Sequence, residues 1–330
     1  MNRLFPTTLL AVALAAGCGQ NRSAPRAKWA PSPKAPPAAP AAADVPFDSL
    51  LREAAARQIA QSDRSDIDVT RAHAVEAHQE ARDAGAGRAI LRGLSDSSDV
   101  VRFASAMAAG QVRLADARPQ LMKMLEDRSP NVQVAVRFAL HKLGETRFTH
   151  DLEQLAFNSD PAVRANAALA IGLIGHPSGL NVLQGMQKDP NVMVRFQVAE
   201  SRWRLGDMQG ARDLVTGTVS RYADDQLVSY VSLAAPRDAR MLEHVRGGLV
   251  SGFPEVALAA ARAAGQLGSD EGYGVALQYY KSTDPRQRAL AALAFGAIAR
   301  RDAQPYLGEL LKDQEEEVRL AAATAILQLR

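Results

Sequence analysis

Asp160-Pro161-Ala162-Val163-Arg164-Ala165-Asn166-Ala167-Ala168-Leu169-Ala170-Ile171-Gly172, residues 160–172, decides the fold. An aspartate caps free backbone N–H groups at a helix start, and proline tolerates the first turn. Apolar and small side chains then recur at helical spacing as far as Ile174. Gly175 stands where such a helix would end, and Pro177 blocks its continuation. A shorter helix is expected over about 180–187, before Asp189-Pro190-Asn191 opens the next unit. Steps of 31 residues from Val163-Arg164 land on Val101-Arg102, Val132-Gln133, Val194-Arg195, Asp225-Gln226, Val256-Ala257, Gln287-Arg288 and Val318-Arg319, with Thr70-Arg71 at the start. That makes nine units without insertion or deletion. Seven residues past each anchor the side chain is small in all nine: Ala77, Ala108, Ala139, Ala170, Ser201, Ser232, Ala263, Ala294 and Ala325. Twenty past it stand Ile90, Leu121, Leu152, Leu183, Leu214, Val245, Ala276 and Leu307, all apolar. A single period this regular specifies an array of identical supersecondary units.

Composition agrees. Of 330 residues, 47% are apolar and only 5% aromatic, and alanine-rich helices pack with their axes close together. The formal charge of +3 comes from the first 46 residues, because residues 47–330 hold 34 basic and 35 acidic side chains. A nucleic-acid binder concentrates positive charge on its folded surface, so that class is set aside. The lone cysteine, Cys18, excludes an intrachain disulfide.

The expected organisation is a signal peptide over 1–17, a lipidated Cys18 and Pro/Ala-rich linker over 18–46, and the repeat array over 47–330. Arg3 precedes an apolar stretch, Leu4 to Ala16, that is too short to span a bilayer. Ala15-Ala16-Gly17-Cys18 resembles a lipobox, although Leu14 lies one position outside its usual place. That resemblance implies an acyl anchor on Cys18, holding the chain to a membrane of the bacterial cell envelope. Gly19 resembles the sorting signal for the outer membrane facing the periplasm. The run from Trp29 to Pro40 carries five prolines, which fix φ and remove donors, so it is expected to be extended. Residues 47–61 read as a lone helix in the place of a second helix, and the charged final helix, with Glu315, Glu316 and Glu317, as the polar end of the array.

The pattern Asp-Pro-x-Val-Arg-x-x-Ala-x-x-Ala-[Leu/Ile]-Gly at 160–172 resembles the short HEAT-like repeat of the PBS-lyase type. The resemblance implies an all-α fold, an α-solenoid of about nine 31-residue helical hairpins, first helices convex and second helices concave. The unit at Asp225 departs from it with Pro236-Arg237 in place of Leu-Gly, and the unit at Thr70 with Ala81-Arg82; both are expected to be irregular.

Most chemistry-bearing residues fit the repeat. Arg71, Arg102, Arg164, Arg195, Arg288 and Arg319 are expected to pair with loop carboxylates such as Asp96, Asp127, Asp160, Asp189 and Asp284, tying successive units together. His73, Glu76 and Glu80 share a helix face at a spacing that suits a metal, whereas His78 takes a packed position. The metal-dependent HEAT-like hydroxylases hold iron through His-Glu dipeptides; this sequence has none, and no metal or cofactor is assigned. Nor is there a phosphate loop or a Gly-x-Ser-x-Gly elbow. What stands out is aromatic. Tyr273, Tyr279, Tyr280 and Tyr306 gather on the last second helices, and Trp203 stands where Gly110, Gly172, Gly265 and Gly296 stand elsewhere. A tyrosine patch suits recognition of a protein partner, and a ring at Trp203 must be exposed or push helices apart. The expected function is a non-catalytic protein-binding scaffold with no enzyme activity. The alternative is an enzyme or enzyme accessory resembling HEAT-like bilin lyases or the hydroxylases.

Overall fold

Asp160, Asn191 and Asp284 each begin a helix as their side chains dictate. Their oxygens accept from the N–H groups of Ala162 at 2.8 Å, Met193 at 2.8 Å and Arg286 at 2.9 Å. The computed structural model describes residues 40–41, 45–81 and 85–329. Among them every regular element is helical. The chain opens with α1 (Ser49–Ser62). It continues through α2 (Asp68–Ala81), α3 (Ala86–Gly93), α4 (Asp99–Val112), α5 (Arg118–Lys123), α6 (Pro130–Lys142), α7 (Thr149–Leu155), α8 (Pro161–Ile174), α9 (Gly179–Gly185) and α10 (Val192–Arg204). Then follow α11 (Met208–Gly217), α12 (Ala223–Ala234), α13 (Leu242–Arg246), α14 (Pro254–Gln266), α15 (Tyr273–Tyr279), α16 (Pro285–Ile298), α17 (Gln304–Leu310) and α18 (Glu316–Gln328). Long first helices alternate with short second ones, at the 31-residue period. Cys18, the signal segment and Arg82 lie outside the described residues.

The chain forms two compact units, one from 63–214 and one that joins 45–62 to 215–329. In the first, α2, α4, α6, α8 and α10 pack in succession. In the second, the succession is α12, α14, α16, α18 and then α1. Every small residue seven past an anchor is buried, from Ala77 to Ala325, and the apolar residues twenty past it are fully buried. These two rows are the core. Glycines bring the first helices together: a Cβ on Gly172 would sit 2.6 Å from the Ser201 Cβ, and one on Gly296 2.8 Å from the Ala325 Cα.

First helices that run on to the turn close in the left-handed region once per period. Gly144, Gly175, Gly206 and Gly268 have φ between 82° and 96°, and Arg113, Arg237 and Ala299 take the same place with φ of 54°, 59° and 60°. The arginine ladder forms for four of the six arginines, with partners 25 residues ahead, whereas Arg195 and Arg319 donate to loop carbonyls of Asp189, Pro190, Asp313 and Gln314. Arg71 grips Asp96, Arg102 grips Asp127, Arg164 grips Asp189 and Arg288 grips Asp313, each through two bonds of 2.6–2.9 Å. The guanidinium bonds hold the Asp96, Asp189 and Asp313 carboxyls below their usual range. Asp160 and Asp284, expected in this ladder, cap helices instead, because they stand directly at the helix starts.

Two end-of-chain expectations change. The helix at 49–62 exists, but it packs on α18 in the place of a further first helix. It buries Ala55, Gln58, Ile59 and Ser62, and the Ser62 hydroxyl donates to Glu316 at 3.0 Å. The apolar face of α18 is thus covered by the chain's other end rather than by its own charged residues.

Candidate functional site

The unit that departs from the repeat at Pro236-Arg237 carries a cleft. Arg237 occupies the left-handed turn, the following second helix α13 is only five residues long, and a 3-10 turn over Gly247–Val250 replaces its last turn. A cleft of about 730 Å³ opens there, walled by Val215, Val219, Tyr230, Val250 and Phe253 and edged by Gln226, Ser251, Glu243 and His244. Gln226 and Ser251 hold the places that arginine and aspartate take in the ladder. Gln226 keeps only the carbonyl contact, donating to Ser220 at 2.6 Å.

The floor is rigid. Tyr230 is buried, and a Cβ on Gly248 would lie 2.6 Å from its ring, so the ring rests on bare backbone. Thr218 bonds the Tyr230 hydroxyl and donates to the Val215 carbonyl at 2.7 Å; burial raises the phenol's pKa, keeping it protonated. The rim is mobile in chemistry rather than in packing. Val219 is 80% and Val250 48% exposed, and the His244 imidazole is exposed beside them. Glu243 is held by Arg246, whose fork also grips Glu271 at 2.8 and 2.7 Å. Apolar walls, a fixed phenol and an imidazole at the mouth suit a side chain or an apolar group with a polar end.

The tyrosines separate. Tyr273, Tyr280 and Tyr306 join Phe295 in one chain of ring contacts, with centroids 5.2 Å apart for Tyr273–Phe295, 5.7 Å for Phe295–Tyr306 and 5.1 Å for Tyr306–Tyr280. Tyr273 is buried under Arg300, whose guanidinium lies 4.1 Å from the ring centroid; burial, then Asp302, raises its pKa. It therefore leaves the candidate surface, whereas Tyr280 and Tyr306 are half-buried. Tyr279 is half buried outside this chain of rings, its pKa raised by burial and by Glu255. Trp203 is 5% exposed and also leaves the surface. Gly210 in α11 lets that helix lie close against the α10 backbone here: a Cβ on it would lie 2.7 Å from the Trp203 backbone nitrogen. The cleft residues were not singled out by sequence, although the Pro236-Arg237 departure pointed to their unit.

These features define a class: an all-α array of HEAT-type helical hairpins with one unit opened into a cleft. The chain belongs to the HEAT-repeat family, which it matches over 87–160, 149–235 and 242–328. It is 28% identical over 266 residues to deoxyhypusine hydroxylase of Mus musculus, covering 72% of this chain and 78% of that one. Among solved structures it is similar to the complex of CpcE and CpcF of phycocyanin lyase from Nostoc, at 18% identity and a TM-score of 0.45, covering 77% of this chain and 98% of that chain. It is also similar to human deoxyhypusine hydroxylase in complex with glycerol, at 20% identity and a TM-score of 0.39, covering 76% and 96%.

The hydroxylase relative corrects the expectation of a non-catalytic scaffold without enzyme activity: over most of its length the chain is similar to an enzyme. The repeated positions are committed to packing, so enzymes and binding arrays share them, and the pattern that fixed the fold could not separate the two. The iron site of the HEAT-like hydroxylases does not fit these residues. The sequence has no His-Glu dipeptide, and among the described residues no three His, Cys, Asp or Glu side chains gather to hold a metal ion. His73 is buried in α2, and His78 faces Asp63 at 3.2 Å, where Arg92 also binds.

Proposed function

We propose that this chain is the substrate-holding component of an enzyme that modifies a protein, with the reacting group lodged in the cleft beside Tyr230 and His244. The observation that carries the reading is the cleft itself, a solvent-open volume of ligand size with mostly apolar walls. The enzyme relative supports it. The donor set argues for chemistry other than iron-dependent hydroxylation. We propose further that Cys18 is lipidated and places this activity at a membrane of the bacterial envelope, since the chain's lone cysteine stands at the end of the apolar leader.

Intact-mass spectrometry of envelope proteins tests the first part. Cells with the wild-type chain should carry a covalent mass addition on a client protein. Val219→Trp with Val250→Trp, which fill the mouth from exposed positions, should lower it at least tenfold. Identical mass profiles in wild-type, blocked and deleted strains would overturn it. For the anchor, Cys18→Ser should move the protein from the membrane to the soluble fraction; unchanged fractionation would rule out lipidation.

A further inference from the structure

Helix α1 is joined in sequence to one compact unit and packed in the other. It ends at Ser62, and Asp63 already belongs to the unit of 63–214, yet α1 packs on α18 in the unit of 215–329. The segment that follows it is pinned where it stands. The Asp63 carboxylate binds His78 at 3.2 Å and Arg92 at 2.6 Å, and the Arg71 guanidinium binds the carbonyls of Ser65 and Asp66 at 2.8 and 3.3 Å. The bonds that seat α1 reach much farther along the chain. Ser62 donates to Glu316 across 254 residues, and the Asp48 N–H donates to Gln304 across 256. Gln304 donates in turn to the Pro46 carbonyl at 3.0 Å, and Arg300 to that of Pro40 at 2.8 Å.

This seat is specific in its polar bonds and shallow in its packing. The bonds fix the register of α1 on α17 and α18. Its buried side chains, however, are only Ala55, Gln58, Ile59 and Ser62, two of them polar. Inside the array, α16 buries the whole run from Ala289 to Gly296. Elements with few buried apolar contacts open at lower free energy than the core. When α1 comes away, the surface that it leaves fits one segment best, and every copy of the chain carries that segment.

We propose that this chain dimerises by exchange of α1, each copy's helix seated on α18 of the other. The exchanged bonds are those of the single chain, so monomer and dimer differ little in contact energy. The balance is set by the concentration at which a tethered helix meets its own seat, on the order of millimolar for a short link. No residue of α1 lines the cleft beside Tyr230, so the exchange stands or falls apart from the enzymatic reading.

Sedimentation of the full chain in density-matched detergent, with reductant present to keep Cys18 free, reads the exchange. At about millimolar concentration the wild type should be dimeric in substantial part. After hundredfold dilution it should return to monomer slowly, because α1 must leave one seat before it takes another. Ile59→Ala and, separately, Gln304→Ala weaken the seat equally in monomer and dimer. The dimer fraction should therefore stay within twofold of the wild type. The return to monomer should quicken at least tenfold for Ile59→Ala and at least threefold for Gln304→Ala. Absence of dimer at millimolar concentration would overturn the proposal. So would a dimer whose rate of return neither substitution changes, since that joint lies on another surface. A dimer whose amount falls sharply with either substitution would overturn it as well, since its joint then adds contacts that the single chain lacks.

Discussion

At the scale of single residues, His73 is the group most out of keeping with its surroundings. Corresponding places in neighbouring units hold Ala104 and Ala135, yet here an imidazole is buried in α2. Burial pushes its pKa down to about 4. The unfolded chain takes up this proton near pH 6.5 and the folded chain only near 4, so below 6.5 the unfolded state binds more protons. Its contribution is thus fully present above pH 6.5 and is lost progressively as pH falls toward 4, by about 3 kcal/mol at the limit. The depressed ladder carboxylates act in the same direction but at lower pH, as they protonate. His73→Ala, the residue the repeat itself uses, should flatten the dependence of the urea midpoint on pH between 6.5 and 4.5. An unchanged slope would show that the loss comes from other groups.

At the scale of elements, the C-terminal end of a first helix asks for glycine on two separate grounds. Ala299 ends α16 in the left-handed region, where a Cβ meets the following carbonyl at a cost of about 1–2 kcal/mol. Ala299→Gly should therefore raise stability by about 0.5–1 kcal/mol after the entropy that glycine adds to the unfolded chain, measurable as a higher melting temperature. Gly265 lies nearer the middle of its contact: a Cβ there would fall 2.6 Å from the Ile298 nitrogen and 2.7 Å from the Ala297 carbonyl carbon, both backbone atoms. Gly265→Ala should cost about 1–3 kcal/mol, because α14 and α16 must separate to admit the methyl group. A melt unchanged by that substitution would mean that the helices slide apart freely. The left-handed turn was legible in sequence where glycine marks it, at Gly175 or Gly206, and hidden where Arg113 or Ala299 adopts it without a compositional sign. The tyrosines divide for a similar reason. Spacing groups Tyr273 with Tyr280, but only packing tells that Arg300 seals the first while the second stays half-buried. The unit of the cleft carries a visible break, Pro236-Arg237, whereas the lining residues Gln226 and Ser251 read in sequence as ordinary surface residues.

At the scale of the whole molecule, the point that local periodicity could not supply is the destination of α1. A helical pattern identifies a helix and its apolar face, and leaves open which other face will cover it. Residues 45–62 belong to the unit of 215–329, with contacts that span almost the entire chain, such as Ser62 to Glu316 and Asp48 to Gln304. The face of α18 turned away from α16 is the one that α1 covers. Ile59 is fully buried at that contact. Truncating it to alanine removes apolar burial and leaves a cavity, at a cost of about 2–5 kcal/mol. Repeat arrays are stabilised by neighbour contacts, so the loss should stay within the unit that α1 completes. Hydrogen exchange measured helix by helix distinguishes this from a general loosening. In Ile59→Ala the amides of α18 should exchange at least tenfold faster than in the wild type, while those of α6, inside the 63–214 unit, keep their protection. Equal acceleration in α6 and α18 would show that α1 stabilises the entire chain rather than capping one end of it. Unchanged exchange in α18 would mean that the chain's end needs no cap, and the contact through Ile59 would be incidental.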